Sequence, residues 1–128
     1  MPLKITLKPR ERLILGGAVV RNGDVGARLT VENEVPILRG HDILSQREAD
    51  TPCRRIYFVV QLMYVDERNL DEHLKLYWPL VQDVATAAPS TASYTSEISR
   101  LVVARKYYQA LKVARRLVDY EQELFQHI

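Results

Sequence analysis

Arg12-Leu13-Ile14-Leu15-Gly16-Gly17-Ala18-Val19-Val20 sets two glycines between two runs of apolar, largely β-forming residues. Both turn residues tolerate positive φ without steric penalty, so the stretch reads as a tight β-hairpin. Working outward, Lys4-Ile5-Thr6-Leu7 alternates polar and apolar before the Pro9 turn, and Asn22-Gly23 repeats the turn signal ahead of Ala27-Arg28-Leu29-Thr30-Val31. Asn33-Glu34 then separates that run from Val35-Pro36-Ile37-Leu38. Pro36 has no amide hydrogen for a ladder, which places this last strand at its start or on an edge. A meander of about five antiparallel strands over residues 1–44 is the expectation.

Beyond Ser45 the period changes. Thr51-Pro52 is a helix opening, because threonine caps free amides and proline fits the first helical turn. The β-branched and aromatic content of Arg55 to Val65 argues for a strand, but Ile56, Val59, Val60 and Met63 fall at helical spacing, and helix is the reading adopted. Asn69 is positioned to cap a second helix, Leu70 to Thr86, with Leu74, Tyr77, Trp78 and Val81 inward and a kink or break at Pro79. Ala87-Ala88-Pro89-Ser90-Thr91 reads as a linker, with Ser93, Thr95 or Ser96 capping the next helix. The fold class is therefore α+β: a small β-module over 1–44 and a helical domain of three or four helices over 51–128, folding as one cooperative unit.

Composition narrows the function classes. With 128 residues, 47% hydrophobic and 27% charged, the chain supports one core of ordinary size. Its formal charge of +2 gives no general warrant for a polyanionic partner, so such a role rests on charge placement. No apolar run approaches the roughly 18–20 residues that span a bilayer and no secretory leader is visible, so a cytoplasmic protein without membrane contact is expected. Cys53 is the single cysteine. The arginines after it favour its thiolate, whereas the burial habit of free cysteine favours an inert thiol. His41, His73 and His127 share no metal-ligand spacing, and Asp71, Glu72 and His73 read as residues of an exposed helix surface. Neither a nucleophile elbow nor a phosphate-cradling glycine loop is present. The expectation is a protein without catalysis, cofactor or metal.

Charge is concentrated at three places. In the β-module these are Lys8-Pro9-Arg10-Glu11-Arg12 and Ile37-Leu38-Arg39. Lys8, Arg10, Arg12 and Arg39 on turns and edge strands suit either a sugar–phosphate backbone or protection of strand edges. Further on, Arg100, Arg105, Lys106, Lys112, Arg115 and Arg116 fall within seventeen residues that contain no acid. On one helix Arg105, Gln109, Lys112 and Arg116 form a stripe roughly 60° wide, with Ala104, Tyr107, Tyr108, Leu111, Ala114 and Val118 opposite. The stripe suits phosphates or a solvated face near Asp119, Glu121 and Glu123. Tyr107, Tyr108 and Leu111 are the candidate protein-contact residues, and one tyrosine at most is left to stack on a base.

Several pieces together resemble the flagellum-biosynthesis repressor family FlbT, from Pro2 to about Glu121. They are Leu3-Lys4-Ile5-Thr6-Leu7-Lys8-Pro9 with Glu11, Asn22-Gly23, Leu38-Arg39 with Asp42-Ile43-Leu44, Thr51-Pro52 with Arg55-Ile56-Tyr57-Phe58, Gln61-Leu62-Met63-Tyr64, and Tyr107-Tyr108-Gln109-Ala110-Leu111-Lys112 leading to Arg116-Leu117. The resemblance implies a post-transcriptional regulator of flagellin that acts on the 5′ untranslated leader of flagellin messenger RNA, repressing translation and promoting decay, in concert with the partner FlaF. An alternative is a protein-interaction or chaperone-like module of flagellum assembly that acts through FlaF or flagellin. A second resemblance, over Ile5 to Ile43 alone, is to the carbon storage regulator CsrA, with Arg39 at that family's principal RNA-binding arginine. Leu7, where that family has an arginine, and Gly40-His41, which adds a residue, are departures from it. This second likeness implies RNA contact by the β-module and a homodimer.

Overall fold

The computed structural model describes residues 2–126, so His127 lies outside the described residues. The chain divides into two compact units, one ending at Ile43 and the other beginning at Leu44. Among the described residues no helix is long and apolar enough to cross a membrane.

The first unit holds five antiparallel strands in two small sheets: β1 (Leu3–Leu7), β2 (Arg12–Leu15), β3 (Ala18–Arg21), β4 (Ala27–Val31) and β5 (Ile37–Arg39). Alternation along β1 buries Ile5 and Leu7 while Lys4 and Thr6 face water. Ile5, Leu7 and Leu13 form the core, with Leu15, Leu29, Val31 and Ile37 packed on it. The hairpin at Gly16-Gly17 forms as the glycines predict, Leu15 pairing with Ala18, and Gly16 takes the positive φ of 59°. β5 follows Pro36 and lies on the edge of the order β3-β2-β5.

The meander does not form. β1 pairs with β4, Leu3 opposite Val31 and Leu7 opposite Ala27, and β2 is sandwiched between β3 and β5. The cause lies in the two turns after β1 and β3, which satisfy each other's backbone. Arg10 donates its amide to the Gly23 carbonyl at 2.8 Å, Asn22 donates to the Glu11 carbonyl at 2.9 Å, and the Asn22 side-chain amide reaches the carbonyls of Lys8 and Val25. Turn packs on turn, so β2 leaves the first sheet instead of extending it.

The second unit is a four-helix assembly: α1 (Pro52–Val65), α2 (Leu70–Ala87), α3 (Ala92–Val103) and α4 (Tyr107–Gln126). Thr51 caps α1, its hydroxyl accepting from the Arg54 amide at 3.1 Å, and Pro52 takes the first position. Ile56, Val59, Val60 and Met63 are all buried, so helical burial overrides strand propensity in this segment. Gln61, also buried, holds the backbone of Leu44 through two 2.8 Å hydrogen bonds.

Three details of the later helices depart from expectation. The buried line of α2 is His73, Tyr77 and Val84, while Leu74 and Val81 are half-buried and Trp78 is 44% exposed. Trp78 instead meets the Tyr77 ring edge-on at 4.9 Å. The helix runs through Pro79 unbroken, and next to it the Tyr77 hydroxyl lies 2.9 Å from the Ser99 hydroxyl of α3. The linker closes as a short 3₁₀ turn, Pro89–Thr91. Thr91, not Ser93, Thr95 or Ser96, takes the N-cap position of α3, and its hydroxyl donates back to the Ala88 carbonyl.

Candidate nucleic-acid interface

In the β-unit the four predicted cations differ in how they are held. Arg39, at the end of β5, donates to the Thr6 carbonyl and meets the Glu11 carboxylate at 3.3 Å. Glu11 is also the acceptor for the Lys8 amide at 2.9 Å. The Lys8 amide first, and the Arg39 guanidinium beside it, hold the Glu11 carboxyl below its usual value. Arg39 is thus a clasp that joins β1, the first turn and β5. These contacts engage the guanidinium while its side chain stays 43% exposed. Arg10 stands in the left-handed region at φ 62° and pairs with Asp24 at 2.9 Å, both side chains well exposed. Arg12 is half-buried opposite Arg21 in the β2–β3 ladder, and Lys8 is exposed.

The six cations of the second unit do not share one helix. α3 ends in a Schellman closure, with the Arg105 amide donating to Val102 and the Lys106 amide to Leu101, at 3.0 and 2.9 Å. Arg105 sits at its left-handed position, φ 61°, so it belongs to the turn and not to the stripe. Lys112 and Arg116 remain, one turn apart and exposed on α4. Arg100, on α3, is bidentate to Glu97 at 2.6 and 3.0 Å.

Of the predicted protein-contact residues, Tyr107 and Leu111 are only 8% and 3% exposed. They belong to the interior of the helical unit with Ala110 and Ala114, so only Tyr108, 44% exposed, faces outward. Tyr108 lies with its ring centroid 5.4 Å from that of Tyr64 on α1, tilted by 44°, and the Lys112 ammonium stands 4.9 Å over it. Further along the same helix pair, Arg115 covers Tyr57 at 4.9 Å and donates to its hydroxyl at 3.4 Å. Arg115 entered the sequence reading only as one of the six cations of the basic run, and Tyr64 and Tyr57 were not among the candidate site residues. The one local trace of them is the seven-residue spacing of the two tyrosines on α1, which brings them to one helix face.

Glu121 is a second omission. Read as a surface acid near the cations, it is buried on α4 and accepts from the Thr51 hydroxyl and, at 3.1 Å, from the Cys53 amide. It caps the start of α1 from across the unit. The Cys53 thiol is buried beside it, and burial, reinforced by the Glu121 charge, pushes its pKa up to about 12. That environment suits an inert thiol and not a thiolate. His73, expected on an exposed surface, is buried with its Nε2 3.2 Å from Asp66, and Asp71 and Glu72 stay in water. Among the described residues no group of three or more His, Cys, Asp or Glu is placed to hold a metal ion. Near the start of α1, a cleft of about 540 Å³ is lined by Pro52, Val84, Ala87, Leu124 and Phe125 among others, with Phe125 exposed on it.

The sequence profile of the family described as "Flagellar protein FlbT" matches residues 3–125. A relative from Bradyrhizobium diazoefficiens named "Probable flagellum biosynthesis repressor protein FlbT 1" is 43% identical, over 97% of this chain and 85% of its own length. One from Caulobacter sp. (strain K31), with the same name without the number, is 39% identical over 100% of this chain and 99% of its own. The "Flagellum biosynthesis repressor protein FlbT" of Caulobacter vibrioides is 38% identical, covering 100% and 92%. No solved structure matches the chain.

Proposed function

The chain belongs to the FlbT family of flagellar proteins, a family of regulators of flagellar synthesis, and from that membership we propose that it acts after transcription, by binding the 5′ untranslated leader of flagellin messenger RNA. Binding there hinders translation and favours decay of the message. The observation that carries the RNA reading is the set of exposed cations at the α3–α4 turn and along α4: Arg105, Lys106, Lys112 and Arg116. None of these four has a carboxylate within ion-pairing distance among the described residues, whereas Arg10, Arg39, Arg54 and Arg100 do. An arginine already clasped must give up that partner to reach a phosphate, so the unclasped set is the lower-cost site for a polyanion.

The test is a gel-shift titration of the purified protein against a flagellin leader transcript, with and without FlaF, over a range of salt. Salt-sensitive, saturable binding by the protein alone supports the reading. Absence of a complex at low salt with either addition sinks it.

A second reading, protein association through FlaF or flagellin, is favoured by the exposed Phe125 and the apolar cleft beside it. Tyr107 and Leu111 are unsuited to that role because the helical unit already consumes them. Phe125→Glu abolishing co-purification with FlaF while leaving the leader complex intact would separate the two readings.

A further inference from the structure

We infer that Tyr64, Tyr108 and Lys112 form a stacking platform for an unpaired nucleobase, with Lys112 and Arg116 taking the flanking phosphates; this rests on the RNA-binding reading above and gives it a place. Tyr107 and Tyr108 are neighbours in sequence, yet the first is 8% and the second 44% exposed. The exposed ring has a partner: its contact with Tyr64 on the neighbouring helix, centroids 5.4 Å apart, seats it between two helices of one compact unit. A ring held in place but half in water binds a planar partner with little entropy left to lose.

Lys112 stands over that ring at 4.9 Å. An exposed cation–π contact is weaker than the stacking of one base on an aromatic side chain. A base therefore displaces the ammonium, which swings on its flexible stem to the adjoining phosphate. Arg116 lies one turn further on α4 and is exposed, the acid in its field being Glu97, already bidentate to Arg100. The other aromatic–cation pair of these helices is closed by comparison. Tyr57 is 3% exposed beneath Arg115, so the open end of the face is the one at Tyr108.

Because a stacked base must be free of its own strand partner, the platform selects single-stranded over duplex RNA. The test uses the full chain and fluorescence anisotropy with a labelled twelve-nucleotide oligoadenylate, the same strand in duplex form, and the flagellin leader transcript. Tyr108→Ala is expected to weaken single-strand binding about tenfold. Tyr108→Phe retains the affinity. Lys112→Ala lowers the salt slope by about 0.7. Circular dichroism monitors folding, and Tyr108→Leu, which keeps apolar bulk without a π face, replaces the alanine variant if that one fails to fold.

Wild-type affinity in Tyr108→Leu, or equal affinity for single strand and duplex, overturns the platform while leaving leader binding in place. Loss of FlaF capture by Tyr108→Leu with unchanged RNA affinity also overturns it, assigning the ring to a protein contact. Failure of the wild-type chain to bind any of the three RNAs defeats the RNA reading itself.

Discussion

Glu11 gathers the Lys8 amide and the Arg39 guanidinium on one carboxylate, and that arrangement makes the β-unit sensitive to acid. Its folded pKa lies below the usual 4.5, so the stabilisation is complete above that value and is lost as pH falls through the folded pKa. Urea midpoints of wild type and Glu11→Gln should differ at pH 7 and converge as the pH is taken well below 4.5. A gap that persists unchanged would mean that the charge is not what matters. Gly40 borders the same clasp: it has φ 49°, and a Cβ built there lies 3.3 Å from Glu11 Oε2. Gly40→Ala therefore combines backbone strain with pressure on the carboxylate, and a loss of about 1–2 kcal/mol is expected in the same assay. Arg105 is the converse case, a large residue holding a left-handed helix end where glycine is at ease. Arg105→Gly should raise stability by up to about 1 kcal/mol in thermal melts while weakening RNA binding, so one substitution moves the two properties in opposite directions. Sequence reading picked out Arg39 and Arg105 as cations. Their structural tasks were hidden because a left-handed φ or a side-chain clasp depends on hydrogen bonds to Thr6, Glu11, Leu101 and Val102, not on residue type.

Among the elements, α1 was the most ambiguous in sequence and is the best supported in structure. Its local capping signal, Thr51-Pro52, is joined by a distant one: Glu121, about seventy positions on, accepts from the Thr51 hydroxyl and the Cys53 amide. A carboxylate at a helix start meets free amides and the positive end of the dipole together. Glu121→Gln offers one oxygen where two donors converge and turns an amide toward one of them. A cost of about 1–3 kcal/mol is expected in urea unfolding followed by circular dichroism. Faster alkylation of Cys53 in the native variant would show that the opening is local to this end of α1. No loss of stability would mean that solvent replaces the cap. Such a contact leaves no trace in a local pattern, since an isolated glutamate among Asp119, Glu123 and the cations reads as a surface acid. The same limit applies to α2, where the apolar residues mark a helix but its rotation is set by packing, which chose His73 and Tyr77 over Trp78. It applies again to the basic run after Arg100, which looks like one helix until the closure at Leu101 and Val102 divides it.

For the whole molecule, the turn signals located the five strands and the helical spacing located the helices, because both are local properties of the chain. Strand order was out of reach, since β1 finds β4 only after two turns have satisfied each other's backbone groups. Charge acts at this scale too. Net charge is only +2, so long-range attraction to RNA is weak and affinity must come from a few local contacts. If Arg105, Lys106, Lys112 and Arg116 each neutralise one phosphate of a single strand, log K should fall against log salt with a slope of about −3, at roughly 0.7 per contact. Raising salt from about 50 to 200 mM would then cost roughly fiftyfold in affinity. Replacing Lys112 and Arg116 together by glutamine should halve that slope, to about −1.5, and leave the fold unchanged. A slope near −5 would require about three phosphate contacts beyond these four. A slope near zero would remove phosphate neutralisation altogether and shift the weight to Phe125 and its cleft, where an apolar partner would bind without regard to salt.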